Sequence, residues 1–144
     1  MITNEFQYRN TKAILAQFEA AIENLEGTAA SAARPKLRAI EIAAVRSQAE
    51  SLREELVDYE RLRAGEVDTI AANGLLGIAE ILIKARVARG WTQAGLADAL
   101  GVAVQQVQRY EATGYSSASL ARLADIAAAL GIEISETATL RRIA

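Results

Sequence analysis

The stretch from Trp91 to Glu111 constrains the chain more than any other. In Thr92-Gln93-Ala94-Gly95-Leu96-Ala97-Asp98-Ala99-Leu100-Gly101, the apolar residues Leu96, Ala97 and Leu100 recur at helical spacing. Thr92 is placed to cap that segment and Gly101 to end it in the left-handed conformation. Val102 to Glu111 follows at once, with Val107 and Tyr110 three residues apart on an inward face and Gln105, Gln106, Gln108 and Arg109 on the outward one. Two short helices joined by a tight turn are predicted, over 93–100 and 104–111. The small Ala97 lets the second helix cross closely, with Val107 pressing against it.

The remaining composition suits a helical setting. Of the 144 residues 51% are hydrophobic but only 5% aromatic, so the apolar share is mostly Ala, Leu, Ile and Val, and there is a single proline to interrupt helices. With no cysteine and no histidine, disulfides, thiolate chemistry, zinc fingers and histidine bases are excluded. The carboxylates are not clustered for metal binding or acid–base work, and Ser116, Ser117 and Ser119 have no accompanying base. The chain therefore reads as non-enzymatic, without metal or cofactor. The longest uncharged run, Thr69 to Ala79, is too short to span a bilayer, and no basic segment followed by an apolar core opens the chain, so a cytoplasmic location is expected.

Residues 4–26 read as a helix capped by Asn4 and stopped at Gly27, with an apolar stripe of Ile14, Leu15, Phe18, Ile22 and Leu25. Thr28 to Arg34 is a small-residue connector. Pro35 suits the first turn of a longer helix running to about Arg63, on the order of 40 Å at ~1.5 Å per residue. Its Ile42, Val45, Ala49, Leu52, Leu56 and Tyr59 follow the three–four alternation of a coiled-coil seam, assigned to dimerisation, although the seam could also close entirely within a hairpin. The expected organisation is a hairpin over 1–66, a linker over 67–74 and a helical bundle over 75–144, with further helices at about 75–89 and 119–130. After Gly131, Ile132-Glu133-Ile134-Ser135-Glu136 alternates apolar with polar. It reads either as a short strand to about Leu140 or as a final helical turn and tail; the alternation favours the strand. A strand alone needs a partner, which a two-fold mate would supply through Ile132 and Ile134.

The outward face of 104–111 has the chemistry of base reading. Glutamine forms paired bonds to adenine, arginine to guanine, and valine meets a thymine methyl, which suits Val104, Gln105 and Arg109 to a major groove. Ser116 is placed to cap the next helix or touch a phosphate, and Trp91 and Tyr110 fit a core better than a base stack. Charge tempers this. Residues 1–74 hold nine basic and twelve acidic side chains and residues 75–144 hold seven and six, so the halves carry −3 and +1. Little affinity would come from phosphate neutralisation per subunit, which favours two subunits acting together.

From about Leu75 to Leu130 the chain resembles the Cro/phage-repressor-like helix-turn-helix family, often called XRE. The match is carried by Lys84-Ala85-Arg86-Val87-Ala88-Arg89-Gly90-Trp91-Thr92-Gln93, Leu96-Ala97, Leu100-Gly101-Val102 and Val107 through Glu111. The implied fold class is all-α, a coiled-coil helical hairpin followed by a lambda-repressor-like helix-turn-helix bundle. The resemblance implies that 104–111 is the recognition helix, that Gln93 bonds a phosphate from the dipole-favoured start of 93–100 beside its cap Thr92, and that Arg86 and Glu111 form a buried structural pair. Four positions depart from the pattern. Gly95 stands where glutamate would complete a capping box, Ala103 where a polar cap is usual, and Ala112-Thr113 where Asn-Gly would contribute a phosphate contact. The overall plan, with Tyr-Glu-Ala-Thr after the recognition helix and a final Gly-Ile-Glu-Ile, is more loosely similar to HigA-type antitoxin regulators. The expected function is a dimeric, sequence-specific transcriptional regulator, a repressor, on double-stranded DNA. Two alternatives stand beside it: an antitoxin whose hairpin captures a toxin protein while the other half represses its own operon, and a coiled-coil interaction module whose helix-turn-helix has lost DNA.

Overall fold

The computed structural model describes residues 1–29 and 33–141, and every regular element among them is helical. The middle of the expected connector, 30–32, and the last three residues lie outside that range. Two compact units are present, Met1–Ala64 and Gly65–Ala144.

The first unit is an antiparallel hairpin of α1 (Glu5–Ala29) and α2 (Pro35–Arg63). Asn4 caps α1, its Oδ1 accepting the Gln7 N–H at 2.9 Å, while Gln7 Oε1 accepts the Thr3 N–H at 2.8 Å. Gly27 does not stop α1 as the sequence predicts; the helix continues to Ala29. The residue after Gly27 is the polar Thr28, whose Oγ1 folds back onto the Asn24 carbonyl at 2.9 Å, so no apolar side chain is there to pull the chain out of the helix. Ala49, Leu56, Tyr59 and Leu62 are buried and Ile42, Val45 and Leu52 half-buried, so the apolar seam of α2 closes on α1 of the same chain. Tyr59 stacks on Tyr8 with ring centroids 5.2 Å apart. Glu5–Arg63 at 2.7 Å, Glu19–Arg53 at 2.9 Å and Glu26–Arg46 bridge the helices in one antiparallel register. Exposed pairs of this kind contribute ~0–1 kcal/mol each, so they select the register while the seam supplies the stability.

The second unit opens with a 3-10 turn, Leu75–Gly77, ahead of α3 (Ile78–Ala88), where the sequence predicts one continuous helix from 75. The chain passes so closely here that a Cβ at Gly77 would lie 2.6 Å from that of Ala72. Then come α4 (Gln93–Leu100), α5 (Val104–Ala112) and α6 (Leu120–Leu130). Leu82, Ile83, Ala85, Leu96, Ala97, Val107, Tyr115, Ile126 and Leu130 make the core. All four helices end alike. A glycine (Gly90, Gly101, Gly114 or Gly131) adopts φ between 58° and 69°, and the apolar residue after it turns back to the helix. Trp91, Val102, Tyr115 and Ile132 donate their N–H groups to the carbonyls of Arg86, Ala97, Tyr110 and Ala127 at 3.0, 3.0, 2.7 and 3.1 Å. These are Schellman closures, and each places its apolar residue on the core. The tight turn between α4 and α5 depends on Gly101, left-handed at φ 65° and ψ 34°.

The expected strand after Gly131 is absent. Ile132 and Ile134 pack against the core, but 132–141 forms neither ladder nor helical turn among the described residues. An extended segment gains nothing from strand geometry without a neighbour to bond, and one chain offers none. Val67 to Ile70 is likewise irregular, with Ile70 resting on the core although it falls in the expected linker.

Thr92 caps α4 by accepting the Gly95 N–H at 3.0 Å. A Cβ at Gly95 would meet only Thr92 Oγ1, at 3.6 Å, an ordinary contact. Gly95→Ala is therefore expected to stabilise the second unit by about 0.5–1 kcal/mol, through lower entropy of the unfolded chain. Urea denaturation of the two proteins checks this; an unchanged or lowered midpoint would contradict it.

Candidate nucleic-acid interface

The position of α5 follows from one buried cluster of charge. Arg86, on α3, is 2% exposed. Its Nε and Nη2 grip the two carboxylate oxygens of Glu111, on α5, at 2.5 and 2.9 Å, and Nη1 donates to the Trp91 carbonyl at 2.7 Å. Gln93 Nε2, at the first residue of α4, donates to the same Glu111 oxygen at 2.8 Å. Three helices thus meet at one carboxylate, and Arg86 ties the turn between α3 and α4 to the same cluster. The fork-to-fork geometry is directional, so it sets the angle of α5 as well as its distance.

Val107 is the buried anchor of α5, 1% exposed in the same core cluster as Ala97. On the other side Gln105, Gln108 and Arg109 are exposed. Arg109 takes part in no side-chain hydrogen bond or ion pair among the described residues, whereas other cations of the second unit are committed. Lys84 pairs with Glu80 at 2.6 Å, Arg122 with Asp125 at 3.6 Å, and Arg89 donates to the carbonyls of Leu130 and Gly131, both at 3.0 Å. Arg109 is therefore the free cation on the α5 surface, beside two glutamine amides with unused donors and acceptors.

The remaining expected contact residues sit differently. Val104 is half-buried and leans on the core, and Gln106 is half-buried, so both stand back from the crest of α5. The Thr92 hydroxyl oxygen accepts the cap bond, which leaves its hydrogen free to donate. Gln93 uses one amide hydrogen on Glu111, which leaves the second free to donate at the start of α4. Ser116 is exposed beyond the end of α5, while Ser119 caps α6 by accepting the Arg122 N–H at 3.1 Å. Ala103 lies in extended conformation before α5 and contributes no side-chain cap.

Sequence reasoning passed over Tyr115. It is 4% exposed, held at φ 58°, and stacked on Tyr110 with centroids 5.8 Å apart. A left-handed non-glycine residue is a strained feature, sustained here by burial of its ring behind α5. The signal was present, because Gly114-Tyr115 repeats the glycine–apolar doublet of Gly90-Trp91, Gly101-Val102 and Gly131-Ile132.

Residues 82–136 match the family model described as helix-turn-helix, of the Cro/C1 type that characterises XRE regulators. No curated protein and no solved structure matches the chain. The matched residues contain the Arg86–Glu111 clamp, α4, the Gly101 turn and α5, so this segment is similar to that helix-turn-helix.

Glu111→Ala leaves the Arg86 guanidinium charged and buried, and should cost ~3–5 kcal/mol in urea denaturation; a cost below that of an ordinary surface change would refute the clamp. Tyr115 supplies a second expectation. Its hydroxyl is buried with no hydrogen-bond partner among the described residues, so Tyr115→Phe should stabilise by about 1 kcal/mol. Burial, and then the neighbouring Glu111, also push this phenol above its usual 10.0. The unfolded chain ionises first, so the stability held by the neutral phenol drains away as pH rises past 10.0. Comparing the two proteins at neutral pH and at high pH should show a smaller alkaline loss in Tyr115→Phe.

Proposed function

We propose, from the Cro/C1-type helix-turn-helix over residues 82–136, that this chain is a sequence-specific transcriptional regulator that binds double-stranded DNA as a dimer and represses by occupying its site. The observation that carries this reading is the crest of α5. Gln105, Gln108 and Arg109 stand exposed on a helix anchored below by Val107 and fixed at its far end by Glu111. The donors and acceptors of those side chains fit the edges of adenine and guanine in a major groove. Gln93 and the first amides of α4 then take a backbone phosphate, which sets the register without reading sequence.

The modest charge of the bundle supports the dimer. With Lys84, Arg86, Arg89 and Arg122 engaged within the protein, one subunit releases few counterions, and two subunits on half-sites ~34 Å apart double that contribution. No helix among the described residues is long and apolar enough to cross a membrane.

Selection of duplexes from a random pool, followed by binding across a salt series, tests the proposal. A defined consensus in two half-sites supports it; absence of both sequence preference and salt slope would sink it. Against the selected site, Arg109→Ala should lose about 1–3 kcal/mol of discrimination at one or two base pairs and leave the other positions unchanged. An equal loss on every sequence would instead place Arg109 on a phosphate.

A further inference from the structure

We infer that residues 132–141 become a strand only when two copies meet, pairing with the same residues of the second copy in an antiparallel ribbon centred on Thr137. This rests on the dimeric regulator proposed above and identifies its contact. Ile132 and Ile134 already lie on the core of their own bundle, and the segment beyond them, to residue 141, belongs to no helix or strand. No backbone hydrogen bond among the described residues involves 133–141, so one whole edge is unbonded. Leu140 is 95% exposed, a large apolar side chain without cover. Beside the segment runs a groove of about 580 Å³, to which Ile70, Ile81, Ala85, Ile132 and Ile134 contribute apolar walls.

The sequence of the segment is complementary to itself in one register. Directly opposed residues in an antiparallel pair share a face, so only registers with a residue on the two-fold axis match apolar with apolar. With Thr137 on the axis, Glu133 of each copy faces Arg141 of the other, Ile134 faces Leu140, Ser135 faces Thr139, and Glu136 faces Ala138. Charge meets opposite charge and hydroxyl meets hydroxyl, the pairs that stabilise a ladder. Leu140 is brought beside Ile134, at the groove. Moving the axis to Glu136 would oppose two carboxylates, and moving it to Ala138 would set Leu140 against Glu136. The occupant of the edge is therefore a second copy of this chain.

Because the chain has no cysteine, one introduced thiol reports on the register. Under mild oxidation, full-length Thr137→Cys should convert to a covalent dimer. Ser135→Cys should stay monomeric on a denaturing gel, since its two copies would lie roughly 13 Å apart along the ribbon, beyond disulfide reach. In sedimentation without DNA, Glu133→Arg or Arg141→Glu alone should weaken the dimer, and the two together should restore it. Equal cross-linking at 135 and 137, or single reversals that leave the dimer intact, would overturn the ribbon. A chain that stays monomeric would also overturn it and assign the edge to a different protein. Duplex binding without the 137 cross-link refutes the ribbon alone; a 137 cross-linked dimer that binds no selected duplex refutes the regulator reading alone.

Discussion

One carboxylate, that of Glu111, joins α3, α4 and α5. Arg86 reaches it from α3 with two nitrogens and Gln93 from the start of α4 with a third, while the remaining Arg86 donor closes on the Trp91 carbonyl. A buried ion pair of this sort is weak evidence for stability, because desolvation cancels much of the attraction. Its strength is geometric. Planar groups bonded at both ends tolerate little rotation, so α5 cannot roll about its axis without breaking several bonds at once. The base reading proposed for α5 needs that restraint, since a glutamine amide displaced by an ångström no longer meets its base edge.

The same cluster links structure to contact. Gln93 is tied by one amide hydrogen to Glu111, so in the proposed complex a phosphate at the start of α4 would meet an amide whose position is already set. The cost of orienting that side chain is met in folding rather than in binding. The rest of the bundle is sparing with charge. Four of its cations serve folding, in ion pairs or on helix-end carbonyls, and Arg109 is left unpaired on α5 among the described residues. In the proposed regulator such a surface would discriminate through hydrogen bonds more than it attracts through its field, and a second copy would double its sites.

How far the sequence could be read depended on whether a signal was local. Gly101 and Gly27 illustrate the limit. Both are glycines after apolar-striped segments, yet Gly101 ends its helix and Gly27 does not. The difference lies in the following residue: Val102 has a core to enter, whereas Thr28 bonds back to its own helix. The doublet, rather than the glycine, was the signal, and reading it would also have found Tyr115. Val104 and Gln106 were counted with the readers because helical spacing places them near that face. Packing in three dimensions turned them partly inward.

The amino-acid order alone determined the helices, the turn at Gly101, the capping threonine and the polar crest of α5, because each depends on contacts within a few residues or on the helical period. Tertiary structure alone decided three things. Gln93 bonds Glu111, the α2 seam is covered by α1, and the alternating tail remains unpaired. Each is settled by groups distant in sequence, or missing from a single chain, and no local pattern records where those partners lie.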